Sequence, residues 1–147
     1  AVRVGQAVGR RDPHGVRLAG WAALGIALAF ALVMSAVFSL APRPLLRIFT
    51  DDATVLGIGT TLLLICALFQ PFDGAQVVAT GALRGLGDTR TPMLLNLALH
   101  WFVGLPIGYW LCFSRGWGVV GLWTGLSTSL MLIGATLLGE WHLRSRV

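Results

Sequence analysis

With 147 residues, of which 56% are hydrophobic and 12% charged, the chain carries about half the charge of a soluble domain, and this composition weighs against a soluble fold. The formal charge of +5 comes from eleven Arg and no Lys against six acidic residues. These Arg lie in short connectors and at both ends, so they point to phosphate headgroups and not to nucleic acid, which would need a basic helix face.

The opening AVRVGQAVGRRD has no initiator Met and no succession of charged, apolar and cleavage regions. It reads as the end of an earlier helix, and the sequence is expected to be a piece of a longer protein. A membrane span needs about 20 mostly apolar residues, and four stretches qualify. The first runs over about 18–41 and is stopped by Pro42 and Pro44. After PRPLLRIFTDD, with Thr50 or Asp51 as N-cap, the second begins near Thr54 and continues to about Arg84, long enough to require tilt or a kink at Pro71. The third covers about 93–113 with Pro106 inside it, and the fourth covers about 119–138. The short SRGWG between them predicts antiparallel neighbours. The ending GEWHLRSRV reads as an amphipathic exit with Trp141 as an interfacial anchor.

Counting Arg on alternate sides places Arg3, Arg10, Arg11, Arg17, Arg84, Arg90, Arg144 and Arg146 on one side and Arg43, Arg47 and Arg115 on the other. Basic residues are retained on the cytoplasmic face. Both chain ends and the GLGDTRTP turn are therefore expected in the cytoplasm, and Asp51 and Asp52 outside. Four Gly-x-x-x-Gly pairs, Gly5/Gly9, Gly81/Gly85, Gly104/Gly108 and Gly121/Gly125, are candidate points of close helix approach. Cys66 and Cys112 sit in apolar runs without metal-ligand spacing and read as packing residues.

One acidic residue, Asp73, lies well inside a span, about 6 Å from its centre at helical rise. A carboxylate there costs at least about 2.5–3.5 kcal/mol if it faces lipid. Gln70, Asp73, Gln76, Thr80 and Arg84 fall within an arc of about 120°, giving the helix one polar stripe. Two readings are open for it. Asp73 is either a buried carboxyl that is neutral or bonded to a neighbouring helix, or a group that binds a cation or exchanges a proton in a central cavity lined by Gln70, Gln76 and Thr80. Under the second, a carbonyl freed by Pro71 beside the carboxylate makes a site for a hard cation such as Na⁺. His100 shares a face with Asn96 and reads as a proton relay or as a satisfied packing group. Trp101, Trp110, Trp117 and Trp123 sit mostly toward span ends as anchors, and Thr124, Ser127, Thr128 and Ser129 are expected to bond between helices. No nucleophile with a base, metal cluster or phosphate loop is recognisable, so no enzymatic activity and no cofactor are expected.

The run QPFDGAQVVATGALRGLGDTRTPM resembles the signature of a long helix in the C-terminal lobe of multidrug and toxic compound extrusion (MATE) transporters. VRVGQAVGRRD, IFTDD, GLPIG and GLWTGL resemble further family pieces in the family's order and spacing, so the resemblance covers nearly the whole chain. It implies an all-α membrane protein in which residues 1–147 supply the end of one helix and the last four of twelve helices in two six-helix lobes, the N-terminal lobe being absent. The family resemblance also implies exchange of Na⁺ or H⁺ for organic cations, drugs and dyes across the plasma membrane, the bacterial inner membrane. Asp73 stands at the position of the family's participating acidic residue, and Gln70 and Gln76 would line the same cavity. Two alternatives stand beside this reading. A lipid-linked oligosaccharide flippase of the same superfamily would be expected to have a more cationic cavity, and a non-transporting assembly subunit would leave Asp73 without a purpose.

Overall fold

The computed structural model describes residues 1–146, so Val147, the last residue of the expected exit segment, lies outside the described residues. The elements are α1 (Val2–Gly9), α2 (Pro13–Leu40), α3 (Pro42–Arg47), α4 (Ala53–Gly85), α5 (Arg90–Ser114) and α6 (Val119–Arg144). Four of them, α2, α4, α5 and α6, are long and apolar enough to cross a membrane. All four expected spans are present and each extends further than its apolar stretch. Helical hydrogen bonding continues into flanking polar residues that a count of apolar positions leaves out.

The ends are set by local chemistry. Asp12 caps α2, its Oδ1 accepting the Gly15 N–H at 2.9 Å, and Pro13 occupies the first turn, where a missing N–H costs nothing. At the other end Ala41 breaks the chain ahead of Pro42, and α3 restarts from that proline. The N-cap of α4 is Asp52 and not Thr50 or Asp51: Asp52 Oδ1 accepts from Thr54 and Val55, because the helix starts one residue earlier than expected. Thr50 instead bonds the Asp52 N–H. In the turn after α4, Gly87 takes the left-handed conformation at φ +88°. Asp88 then accepts from the Arg90 and Thr91 N–H groups and pairs with Arg144 at the end of α6. The hydrogen bonds from Thr91 hold the Asp88 carboxyl below its ordinary range; burial opposes them, and the Arg144 charge and the Arg90 N–H add lesser contributions in the lowering direction.

In space the long helices stand in the order α2, α4, α6, α5, with α1 laid on α2 and the end of α4, and α3 against the start of α4. Small residues make this possible. Between α2 and α4, a side-chain carbon on Gly74 would sit 3.5 Å from Ala31 and 3.6 Å from the Ala27 carbonyl. Between α4 and α6, a carbon on Gly134 would come within 3.0 Å of the Phe72 carbonyl. Two of the Gly-x-x-x-Gly pairs face each other across α5 and α6: a carbon on Gly121 would meet the Leu111 backbone at 2.7 Å, one on Gly104 would meet Ser129 Oγ at 2.7 Å, and one on Gly125 would run into the backbone of Gly108. Gly85 receives Val4 of α1, whereas Gly9 touches nothing within 4 Å. The pairs therefore mark real contacts in three cases and only half of a contact at Gly5/Gly9.

Helix α5 contains two wider turns, at His100–Gly104 and Trp110–Ser114, closed by i→i+5 bonds such as Leu105 N–H to His100 O and Arg115 N–H to Trp110 O. The first lies beside Pro106, which cannot donate to the regular ladder. The expected anchor role of Trp141 is corrected. It is 2% exposed and fills a slot over Gly20, beside Val4, Ala7, Val16 and Ala82. The exit segment is helical through Arg144 and folds its indole inward, while Trp101, Trp110, Trp117 and Trp123 remain exposed. Thr124 and Thr128 bond carbonyls of their own helix, at Val120 and Thr124, so the expected interhelical role is confined to Ser129. An apolar environment favours this local satisfaction whenever no donor or acceptor faces the hydroxyl.

Gly125→Val should lower the thermal stability of the α5–α6 pair by about 1–3 kcal/mol, the cost of forcing methyl groups into a closed contact. Gly139→Ala, where an added carbon meets nothing within 4 Å, should be neutral or slightly stabilising. Thermal unfolding in detergent reads both, and equal behaviour of the two variants would contradict the packing described.

Candidate functional site

The placement of the polar stripe follows from which faces of α4 its neighbours occupy. At about 100° per residue, Gly74 and Ala67 lie about 100–120° to one side of Asp73, where α2 packs. Phe72, Ala79 and Leu83 lie about 80–120° to the other side, toward α6. The Ala79 and Leu83 side chains are buried against Ile133 and Leu137 of α6. Asp73 lies on the arc between these contacts and is exposed; Gln70 and Thr80, on the same arc, are half-buried. Among the described residues no hydrogen bond engages the side chain of Asp73, Gln70 or Thr80. Arg84, at the Arg-rich end of the stripe, is exposed as well.

Gln76 is placed differently from the rest of the stripe. Its Nε2 donates to Asn96 Oδ1 of α5 at 2.6 Å, and Asn96 Nδ2 donates to the Pro92 carbonyl at 2.8 Å. The Pro92 carbonyl fixes the Asn96 orientation, which in turn fixes that of Gln76. The Gln76 Oε1 is then left buried without a donor. A buried amide oxygen needs a donor to offset its desolvation. His100, four residues along α5 from Asn96, places Nδ1 3.0 Å from Ser129 Oγ. The Ser129 hydroxyl also donates to Leu126 O at 2.7 Å. The contact joins α5 to α6 through the imidazole and the hydroxyl.

The carbonyl freed by Pro71 is not beside Asp73. Proline lacks the N–H that would bond residue i−4, so the freed group is Ala67 O, on the α2 side of the helix, where Ser35 Oγ donates to it. Ala67 is 2% exposed. Helical structure continues across this point, α4 being one helix of 33 residues with Pro71 inside it, and a side chain from the neighbouring helix replaces the missing donor. Ser35 carried no signal in the sequence by itself. The proline announces that Ala67 O needs a partner, and only the packing of α2 names it.

A concavity of about 1100 Å³ lies between α1, α2 and the Arg-rich half of α4, lined among others by Arg3, Gln6, Asp12, Leu18, Val77 and Gly81. None of Gln70, Asp73, Gln76 and Thr80 lines it.

Four membrane-length helices with a carboxylate on the uncovered face of the central one define a multi-pass α-helical membrane protein with an ionisable group inside a span. The MatE family model matches residues 1–110, and the chain belongs to that family. It is 44% identical over 151 residues to the probable multidrug resistance protein NorM of Mesorhizobium japonicum, covering 99% of this chain and 32% of that protein. It is 43% identical over 146 residues to the protein of the same name from Brucella suis, covering 96% of this chain and 31% of the relative. The multidrug resistance protein NorM of Burkholderia vietnamiensis is 42% identical over 149 residues, covering 98% and 32%. The chain thus spans about a third of the length of these relatives.

Ser35→Ala should destabilise the fold by about 1–3 kcal/mol, the cost of leaving a buried carbonyl unpaired. In a Pro71→Ala background, where residue 71 regains its N–H, the same Ser35→Ala change should cost close to nothing. A double-mutant cycle on thermal stability reads the difference, and an equal cost in both backgrounds would contradict this account of the proline.

Proposed function

We propose that residues 1–147 are the C-terminal part of a twelve-helix, two-lobe transporter, contributing the end of one helix and the last four, and that the complete protein exports organic cations and drugs in exchange for Na⁺ or H⁺. The observation that carries this reading is the position of Asp73: an acidic group well inside a span, on the arc of α4 that neither α2 nor α6 covers. Relatives named for multidrug resistance support export as the activity. A carboxylate held there costs several kcal/mol unless water, a cation or protein faces it, and a cavity between two lobes supplies that environment.

In this reading Asp73 binds the coupling cation or a proton in one state and the cationic substrate in the other. Gln70 and Thr80, within about two turns on the same arc, offer neutral oxygens to either. The opposite wall comes from the N-terminal lobe, and alternating access moves one lobe against the other around this site. The Arg-rich end, which holds the α1–α2 connector, the Asp88 turn and the end of α6, faces the cytoplasm of a bacterial inner membrane, as the retention of basic residues dictates.

Asp73→Asn in the complete protein keeps the shape of the side chain and removes its charge. Efflux of a cationic dye should fall by at least about tenfold, with membrane insertion unchanged. Efflux at the wild-type rate would overturn the role of Asp73. Cysteines placed at Asp88 and Asp51 should be labelled from the cytoplasmic and external sides respectively, and labelling of both from one side would overturn the orientation.

A further inference from the structure

At the Arg-rich end, His14, Arg17, Leu18 and Trp21 of α2 enclose, together with Arg146 just beyond α6, a cavity of about 460 Å³. Positions 14, 17, 18 and 21 follow helical spacing and form one stripe of α2. Its two basic or titratable members come first, and its two apolar members reach deeper, Trp21 lying about 6 Å beyond Arg17 at helical rise. Leu18 is 62% and Trp21 42% exposed, so the floor of the cavity is apolar and continuous with the most hydrophobic span of the chain, in which an 18-residue stretch has a mean hydropathy of 2.4.

Among the described residues the charges of the mouth have no ion-pair partner. Neither Arg17 nor Arg146 forms an ion pair among the described residues, and no acidic residue lines the cavity. The nearby carboxylates are committed elsewhere: Glu140 and Asp88 to Arg144, and Asp12 to the Gly15 N–H. Arg146 Nη2 lies 2.6 Å from His142 Nε2, and since a guanidinium only donates, that nitrogen accepts in this contact. His142 in turn meets the Trp21 ring edge-on at 6.0 Å, which links the guanidinium at the mouth to the indole on the floor. The positive end of α2 begins at Pro13 on the same rim.

We propose that this cavity binds the headgroup of an anionic glycerophospholipid. The phosphate lies between Arg17 and Arg146, and the start of an acyl chain runs along Leu18 and Trp21. A soluble phosphate would use the arginines and leave the apolar floor bare, whereas a lipid uses both, and a basic pocket at the end of neighbouring spans suits such headgroups. The volume is within the range of small-molecule sites. The site needs the bundle to lie in a membrane and does not depend on transport, so dye efflux and lipid binding succeed or fail separately.

The test uses the complete protein reconstituted in phosphatidylcholine doped with phosphatidylglycerol. Bound phosphatidylglycerol is measured by native mass spectrometry, and the thermal midpoint of the unmodified protein is followed as the phosphatidylglycerol fraction rises. Arg17→Gln with Arg146→Gln should weaken phosphatidylglycerol binding by about thirtyfold, from about 1 kcal/mol for each arginine. The corresponding lysine pair should retain binding within about threefold, and Arg43→Gln with Arg47→Gln, at the opposite end, should change nothing. The wild-type midpoint should rise with phosphatidylglycerol, and excess inorganic phosphate should not displace the lipid. Equal lipid binding by the glutamine pair and the wild type, a midpoint indifferent to phosphatidylglycerol, or displacement by inorganic phosphate would each overturn the proposal.

Discussion

The arrangement of this bundle depends on how closely α2 and α6 approach α4. Gly74 against Ala27 and Ala31, and Gly134 against the Phe72 carbonyl, bring backbones together on two faces of α4. In lipid such contact comes from packing and not from a hydrophobic drive between helices. With those faces closed, the remaining arc of α4 is the one that carries Gln70, Asp73 and Thr80. A larger residue at Gly74 or Gly134 would push a neighbour away and turn that arc. The polar stripe thus owes its direction to glycines that carry no polar chemistry of their own.

The same helix has to remain intact across Pro71. A spanning helix cannot leave a backbone carbonyl unpaired, and Ser35 of α2 removes the deficit at Ala67. The hydroxyl therefore joins the two helices one turn before the proline, and helical structure continues through α4 as one element. A similar economy of donors operates on the α6 side. Gln76, Asn96 and the Pro92 carbonyl form a chain of hydrogen bonds between α4 and α5, and His100 with Ser129 joins α5 to α6. The exception is Gln76 Oε1, buried without a donor within the stripe.

Much of this was legible in the residues. Four spans, the break at Pro42, the antiparallel α5–α6 pair and the polar stripe through Asp73 all follow from apolar length, proline chemistry and helical spacing. The family assignment rested on motifs such as QPFDGAQVVATGALRGLGDTRTPM, and the MatE match agrees with it. What failed to be legible was pairwise. Trp141 reads as an anchor until Gly20 is placed opposite it, and Thr124 and Thr128 read as interhelical until their own carbonyls are seen to be nearer. The freed carbonyl reads as a cation ligand until the helical angle between residues 67 and 73 is set against the position of α2. Spacing fixes the face of a helix, but it does not say which neighbour that face meets.

The central claim is that the arc of α4 bearing Asp73 borders an aqueous path in the complete protein. A cysteine scan tests it most directly: after Cys66 and Cys112 are replaced by alanine, single cysteines are placed along residues 66–84 and exposed to a membrane-impermeant, water-soluble thiol reagent in sealed vesicles of each orientation. Reactivity is expected to recur every three to four residues at positions 70, 73, 77 and 80, to fall at 67 and 74 beneath α2 and at 79 and 83 beneath α6, and to be suppressed by a cationic substrate. Uniformly low reactivity along the helix, or peaks at 67 and 74 in place of 70 and 73, would contradict it.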